Sequence, residues 1–344
     1  MKKKKMRITT IALVVIASML FADGNAYAYS SSSFGQLSPY SQEYLKSINA
    51  GPKESLNSMQ IQETLVALNE YYCEDSKLAS TILEKYLYSI PSIISVEKDL
   101  KILAMHELMN LFDDFDSETK YSVYMFFKRY AQDSGDKESI DFFLLLKEQV
   151  RGGNLAKSES FKDNFIPSQA ASWAYSHYDS FDTAFPNCSN IGGDCTNFVS
   201  QALYYGGMEM HSNWYCHKKN NTYPTPANTT QLDYSWTLAD PSPWISVTEF
   251  TSYWDDHCDD YYGITTIDYI DTHYTFYYNP IFLGDVVILC TQTLWWTTPS
   301  HAMIITQYDG ANHDFLLAGH TNPRQAYPLL SAIANYVQVR FLCL

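Results

Sequence analysis

Apolar residues recur at a helical spacing through the first half of the chain. Ile61, Leu65 and Leu68 share one helical face because three or four positions separate them. Similar spacing continues to about residue 150, and no motif typical of catalysis or metal binding interrupts it. The pattern predicts an all-helical domain over 29–150, followed by a polar, glycine-containing linker over 151–166.

Short β-type runs replace the helical pattern towards the C-terminus, where Tyr, Trp, Thr and Pro become frequent. The runs predicted to form strands are 286–289, 302–306, 315–317 and 336–342. Because helices come first and strands come last, the sequence predicts the α+β class, with a second domain over 167–344.

The first 28 residues have the pattern of a secretory signal peptide. A basic run at 2–7 precedes an apolar run at 8–21, and Ala26-Tyr27-Ala28 has the small-x-small form of a cleavage site. The apolar run is shorter than the roughly 20 residues that a bilayer-spanning helix needs. We therefore expect cleavage near Tyr29 and a secreted, extracellular protein without stable membrane insertion after cleavage. Association with the cell wall stays open.

The acidic balance of the chain narrows the range of partners. The full chain carries a net charge of −15, and removal of residues 1–28, which hold five basic side chains and one acidic side chain, leaves −19. Nucleic-acid binding depends on basic side chains that neutralise phosphates. We therefore expect no nucleic-acid partner.

The cysteine content predicts a free thiol. The chain has seven cysteines, an odd number, so at least one has no disulfide partner within the chain. Cys216-His217 and His257-Cys258 combine residue types that bind zinc, but no Cys-x-x-Cys spacing accompanies them. The sequence therefore predicts neither a metal nor another cofactor.

One cysteine lies at the predicted start of an amphipathic helix, in the stretch GGDCTNFVSQALYYGG at 192–207. Cys195 and Phe198 begin an apolar face that continues along the helix at helical spacing. Asp194 is placed to cap the helix, and the second glycine pair is placed to end it.

This position favours a nucleophilic thiolate. Unpaired backbone N–H groups and the positive end of the helix dipole stabilise negative charge there, and they can also bind an oxyanion. Two structural alternatives remain: Cys195 could fill the core, or it could form a disulfide with nearby Cys188.

A nucleophilic cysteine needs a base, and His301 precedes a predicted buried strand. If this strand forms a hairpin with the next, His301 faces His320, and Met303 faces Ala318. The second imidazole would then fix the tautomer of the first. Asn322 shares the parity of His320 and is the alternative third residue.

The order of these motifs resembles the Putative amidase domain family, a relative of the NlpC/P60 and CHAP cysteine hydrolases. The resemblance covers about 167–330. The segments that carry it are Gly193-Asp194-Cys195-Thr196-Asn197-Phe198-Val199-Ser200-Gln201, Ser235-Trp236, Gly284-Asp285-Val286-Val287, His301-Ala302-Met303-Ile304-Ile305-Thr306 and His320-Thr321-Asn322.

The resemblance implies a papain-like fold in which the helix that carries the cysteine packs on an antiparallel sheet. It implies that Cys195 and His301 form the catalytic pair, with His320 as third member and Asn322 as the alternative. The helix before the nucleophile loop contains Tyr175, so this region and Asp194 are the expected support for the oxyanion. The aromatic insert at 253–278 and the N-terminal helices lie outside a compact family member.

We therefore expect a secreted amidase, a cysteine peptidase-like hydrolase that forms an acyl-thioester on Cys195 with His301 as base. By analogy with related folds, the expected substrate is a peptide, above all a peptidoglycan peptide of the bacterial cell wall. The alternatives are a non-catalytic binding or adhesion protein on the same fold and an acyltransferase that uses the same thioester. The helical domain could serve targeting, inhibition or packing.

Overall fold

Helices occupy the described part of the N-terminal half, as the apolar spacing predicts. The computed structural model describes residues 37–50, 58–151, 164–211, 213–240, 242–278 and 280–344, so the predicted signal peptide and most of the predicted linker lie outside the described residues. The helices of this half are α1 (Pro39–Ala50), α2 (Ser58–Tyr86), α3 (Lys98–Leu111), α4 (Ser117–Ser134) and α5 (Lys137–Arg151). Short 3-10 turns span Pro91–Ile94 and Phe112–Asp114.

The C-terminal half combines helices and strands. The elements in chain order are α6 (Pro167–His177), α7 (Cys195–Tyr205), β1 (Cys216–Lys218), α8 (Thr229–Ser235), β2 (Trp236–Leu238), α9 (Val247–His257), β3 (Asp260–Thr265), α10 (Thr266–Tyr277), β4 (Val286–Thr293), β5 (Trp296–Asp309), β6 (Asp314–Gly319), β7 (Arg324–Pro328), α11 (Leu329–Ala332) and β8 (Gln338–Cys343). A 3-10 turn spans Ile333–Asn335.

In the described residues, six strands form an antiparallel sheet in the order β3-β8-β4-β5-β6-β7. Val286 and Ile288 pack in the apolar cluster that contains α7, whereas Val287 and Leu289 pack in the cluster that contains α10 and α11. Both faces are covered, and so the central strands are apolar at successive positions. The predicted α+β class is confirmed.

Three of the predicted runs lie within longer strands, β8 begins two residues later than its predicted run, and the edge strands β3 and β7 of the six-stranded sheet were not predicted. β3 lies within the aromatic insert at 253–278, which also holds the end of α9 and all of α10. β7 is half-buried along its whole length, so it has no alternation of apolar and polar positions that a sequence pattern could reveal.

The predicted hairpin register is wrong by one residue. Ala318 pairs with Ile304 instead of Met303, and a further irregularity follows between Ile305 and Gln307. Because side chains alternate between the faces of a sheet, a shift of one residue separates positions that were expected to lie side by side. His301 and His320 are therefore not cross-strand neighbours.

A buried charge cluster holds the helical region together around Asp75 on α2. Its carboxylate accepts hydrogen bonds from Lys101 at 2.5 Å, Arg129 at 2.7 Å, Tyr40 at 2.6 Å and Tyr130 at 2.8 Å. Burial acts to raise the pKa of Asp75, but the positive charges of Lys101 and Arg129 outweigh it and hold the pKa below its ordinary value. The cluster joins four helices at one point.

The helical region also packs directly on the sheet through the start of β5. The Trp296 ring is fully buried and makes edge contacts with Tyr40 and Tyr130, at centroid distances of 5.8 Å and 5.3 Å. Next to it, the backbone N–H of Thr297 donates to Asp133 at 2.7 Å. The indole therefore belongs to the core of the helices although it lies on a strand of the sheet.

Among the described helices, none is both long and apolar enough to cross a bilayer.

Replacement of Asp75 by Ala should strongly destabilise the fold, because it leaves Lys101 and Arg129 buried without a counter-charge. We expect a loss of about 3–5 kcal/mol in the free energy of unfolding, measured by urea denaturation. Asp141→Ala removes an exposed partner of Lys137 and serves as the control, with an expected change below about 1 kcal/mol. Equal effects of the two substitutions would contradict the importance of the cluster.

Candidate active site

Cys195 is the first residue of α7, as the sequence pattern predicts. Phe198 and the apolar residues that follow it are buried, which fixes the helix against the sheet. The preceding Gly192 and Gly193 have φ of 126° and 117°, conformations that residues with a Cβ rarely adopt. The segment 188–194, here called the nucleophile loop, therefore places the thiol at the N-terminal end of the helix, where backbone N–H groups lack helical partners.

Asp194 occupies the N-cap position, but its side chain does not cap the helix. The fully buried carboxylate instead accepts hydrogen bonds from the Cys188 N–H, from Asn197 Nδ2 and from His320 Nδ1, each at 2.7 Å. The backbone N–H of Asp194 donates to Thr321 Oγ1 at 3.0 Å. The prediction that the Asp194 side chain caps the helix is therefore wrong. The side chain fixes the nucleophile loop instead.

The structure brings His301 on β5 to the thiol. The sulfur of Cys195, a ring nitrogen of His301 and a carboxylate oxygen of Glu63 all lie within 4.8 Å of one another. The register between β4 and β5 shifts next to His301, so that Ser300 has no cross-strand counterpart. Such bulges redirect neighbouring side chains and are frequent beside active sites.

His320 does not lie beside His301, in contrast to the sequence prediction. Its Nδ1 bonds to Asp194, and its Nε2 bonds to the carbonyl oxygen of His177 at 3.0 Å. The ring also stacks on Phe198 at a centroid distance of 4.1 Å. The position of His320 is therefore fixed by the nucleophile loop, and not by the proposed base.

The other two predicted residues do not reach the thiol in this structure. Asn322 is exposed, beyond the end of β6. Tyr175 lies on α6, where its carbonyl oxygen accepts a hydrogen bond from Gln325. Neither residue lines the cavity beside Cys195.

The residue that contacts His301 is Glu63, which comes from α2 in the helical region. Nδ1 of His301 and Oε1 of Glu63 are 3.1 Å apart, and Glu63 is only 3% exposed. Sequence reasoning missed this residue because 238 positions separate the two side chains. The sequence offered one weak signal: Gln60, Glu63 and Glu70 recur at three- and seven-residue intervals, which places polar side chains on one face of α2 but does not show what that face contacts.

Tyr336, which follows the 3-10 turn before β8, also lies close to His301 and Glu63. The pKa of Tyr336 is raised to about 12. Burial is the main cause and the carboxylate of Glu63 adds to it, whereas the charged ring of His301 opposes the shift. Gln60 bonds to the Tyr336 hydroxyl, so α2 touches the site at a second position. No local pattern distinguishes Tyr336 from the other tyrosines of the chain.

A small cavity adjoins the thiol. Its volume is about 60 Å³, far below the roughly 300–1,000 Å³ of typical ligand pockets. Cys195 and His301 are only 5% and 6% exposed. The lining residues come from α2, the nucleophile loop with the start of α7, the start of α9, and β5.

The electrostatics of the site favour a charged imidazole. Burial lowers the pKa of His301, but the adjacent carboxylate of Glu63 outweighs burial and raises the pKa well above its ordinary value. A positively charged ring beside a sulfur is the arrangement that stabilises a thiolate in cysteine enzymes. The same three side chains also supply thiolate, imidazole and carboxylate donors of the kind that bind zinc.

A family comparison identifies the C-terminal half of the chain. The family model described as "Putative amidase domain" matches residues 165–343, just over half of the chain. The chain therefore belongs to this family, as the motifs around Cys195 and His301 predict, and the family supports a hydrolase of amide bonds. No curated protein and no solved structure gives a significant match.

Glu63→Gln should lower the pKa of His301, because burial then acts without the opposing carboxylate. The native pKa lies above the unfolded value, so the ion pair stabilises the fold fully below that value and its contribution is lost as the pH rises through the folded pKa. We expect the difference in unfolding free energy between wild type and Glu63→Gln to shrink as the pH is raised above about 6.5. Urea denaturation across this range measures it.

Glu84→Gln is the matched control, because Glu84 is an exposed residue of the same helix. Its effect on stability should not change over the same pH range. A pH-independent difference for Glu63→Gln would contradict the ion pair.

Proposed function

We propose that the protein is a secreted, cysteine-dependent hydrolase of amide bonds, with Cys195 as nucleophile and His301 as base. The observation that carries the proposal is the approach of the Cys195 sulfur and a His301 ring nitrogen to within 4.8 Å at the N-terminal end of a buried helix. Membership of the amidase family supports the bond type.

The chemistry follows from this pair. His301 holds the proton of the pair as an imidazolium, and the sulfur, as the thiolate, attacks the carbonyl carbon of the amide, which forms a C–S bond. Backbone N–H groups at the start of α7, including that of Cys195, stabilise the oxyanion. His301 returns the proton to the departing nitrogen as the C–N bond breaks, and an acyl-thioester remains. Water then attacks the thioester with His301 as base, so that the carboxylic acid leaves and the thiol is restored.

We further propose that the substrate is a peptide of bacterial cell-wall peptidoglycan. The support is indirect: residues 1–28 have the pattern of an export signal, and the motifs resemble those of cysteine hydrolases that act on cell walls. Export would bring the protein to a polymer rich in amide bonds.

Cys195→Ala should lower amide hydrolysis by about 10³-fold or more, because the covalent route requires the sulfur. The assay uses the full chain and purified peptidoglycan, with released amines and fragment masses read by mass spectrometry. Cys73→Ala, at an exposed cysteine on α2, is the matched control and should keep wild-type activity. Turnover that survives Cys195→Ala would refute the assignment of the nucleophile.

A further inference from the structure

We propose that helix α2 closes the active site, with the Glu63 carboxylate in the place that the substrate acyl group must enter. This inference rests on the proposed function. The contacts between the helical region and the thiol then serve inhibition, and the observed conformation is the closed form of the hydrolase.

The position of Glu63 does not fit a linear catalytic triad. In such a triad the imidazole separates the acid from the nucleophile, so two hydrogen bonds and the ring place them about 8 Å apart. Here a carboxylate oxygen of Glu63 lies within 4.8 Å of the Cys195 sulfur. Glu63 therefore lies on the same side of His301 as the thiol, where the carboxyl group of a hydrolysis product would lie.

The closure leaves no room for a peptide. Glu63, Val66 and Glu70, which follow one another along one face of α2, all line the cavity beside Cys195. A Cβ added to Gly192 would meet the Val66 side chain at 3.0 Å, so helix and nucleophile loop are in close contact. A cavity of about 60 Å³ holds only a few water molecules, so an amide with its flanking residues would require α2 to move.

Two hydroxyl groups at the start of α9 hold the closing part of the helix. Ser246 and Thr248 donate to Oε2 of Glu70 at 2.7 Å and 2.5 Å. The second half of α2 is anchored separately, by the buried cluster at Asp75. Opening therefore requires displacement of the part of α2 that precedes Asp75, together with the contact of Ser41 on α1, whose hydroxyl bonds to Leu65 and Asn69.

The closed contact also has an electrostatic cost, which opening would relieve. Among the described residues, Oε2 of Glu63 is buried without a hydrogen-bond partner. Opening would return this oxygen to water and remove the cost of its burial.

The test measures access to Cys195 by alkylation of the full chain, with peptide mapping to separate its labelling from that of exposed Cys73. Two reagents are compared, iodoacetamide and a bulky polyethylene-glycol maleimide. Wild-type Cys195 should react slowly, above all with the bulky reagent. Glu70→Ala removes both hydroxyl contacts and should raise the rate by about tenfold or more, with the larger gain for the bulky reagent.

The size dependence separates closure from a change in thiol chemistry, which would alter both rates alike. Glu84→Ala, at an exposed glutamate of the same helix, is the matched control and should leave both rates unchanged. Thr248→Val removes one of the same hydrogen bonds from α9 and should act in the same direction. If circular dichroism shows that Glu70→Ala does not fold, Thr248→Val takes its place as the test of the contact between α2 and α9.

The proposal is overturned if the maleimide labels wild-type Cys195 as fast as Cys73, or if neither variant changes the rates. It is also overturned if elemental analysis finds a bound metal and a chelator, rather than the variants, exposes the thiol. Labelling needs no turnover, so the two proposals fail separately. Variants that open without cleaving any amide would refute the hydrolase, whereas wild-type hydrolysis as fast as that of Glu70→Ala would refute closure.

Discussion

The contact between Glu63 and His301 is the interaction on which the observed, closed arrangement of the site depends. It joins a helix of the N-terminal half to the central strand that carries the proposed base, across 238 positions of sequence. Both side chains are nearly inaccessible to water, so the contact forms only when the helical region and the sheet pack together. The chemistry of the amidase segment is therefore determined in part by residues outside it.

The behaviour of the polar residues in the family motif is a second theme. Asn197 donates to Asp194 and to the carbonyl oxygen of Pro186, and it accepts a hydrogen bond from the Trp244 indole at 3.1 Å. His320 and Thr321 also bond to Asp194. Together these hydrogen bonds satisfy buried polar groups that would otherwise cost free energy. Their shared role is to fix the loop that presents the thiol. Thr196 differs from them, because its Oγ1 lies 3.7 Å from the Cys195 sulfur, within hydrogen-bond distance.

The sequence predicted what local patterns encode and missed what distant packing decides. The start of α7 at Cys195 follows from helical spacing and flanking glycines, and His301 follows from its place before a buried strand. The relation between His301 and His320 could not be predicted, because irregular pairing shifts the hairpin by one residue. Glu63 could not be predicted either, since nothing near it in the chain indicates which surface its helix will meet.

The packing of Trp296 shows that the hydrophobic core of the helices includes part of the family segment, which begins at residue 165. Its indole lies on strand β5, inside the matched segment, yet it is buried among aromatic rings of the helices. A chain that carried this strand alone would expose a large apolar ring to water and would invite self-association there. During evolution, loss or exchange of the N-terminal half would therefore have to be accompanied by a smaller residue at this position.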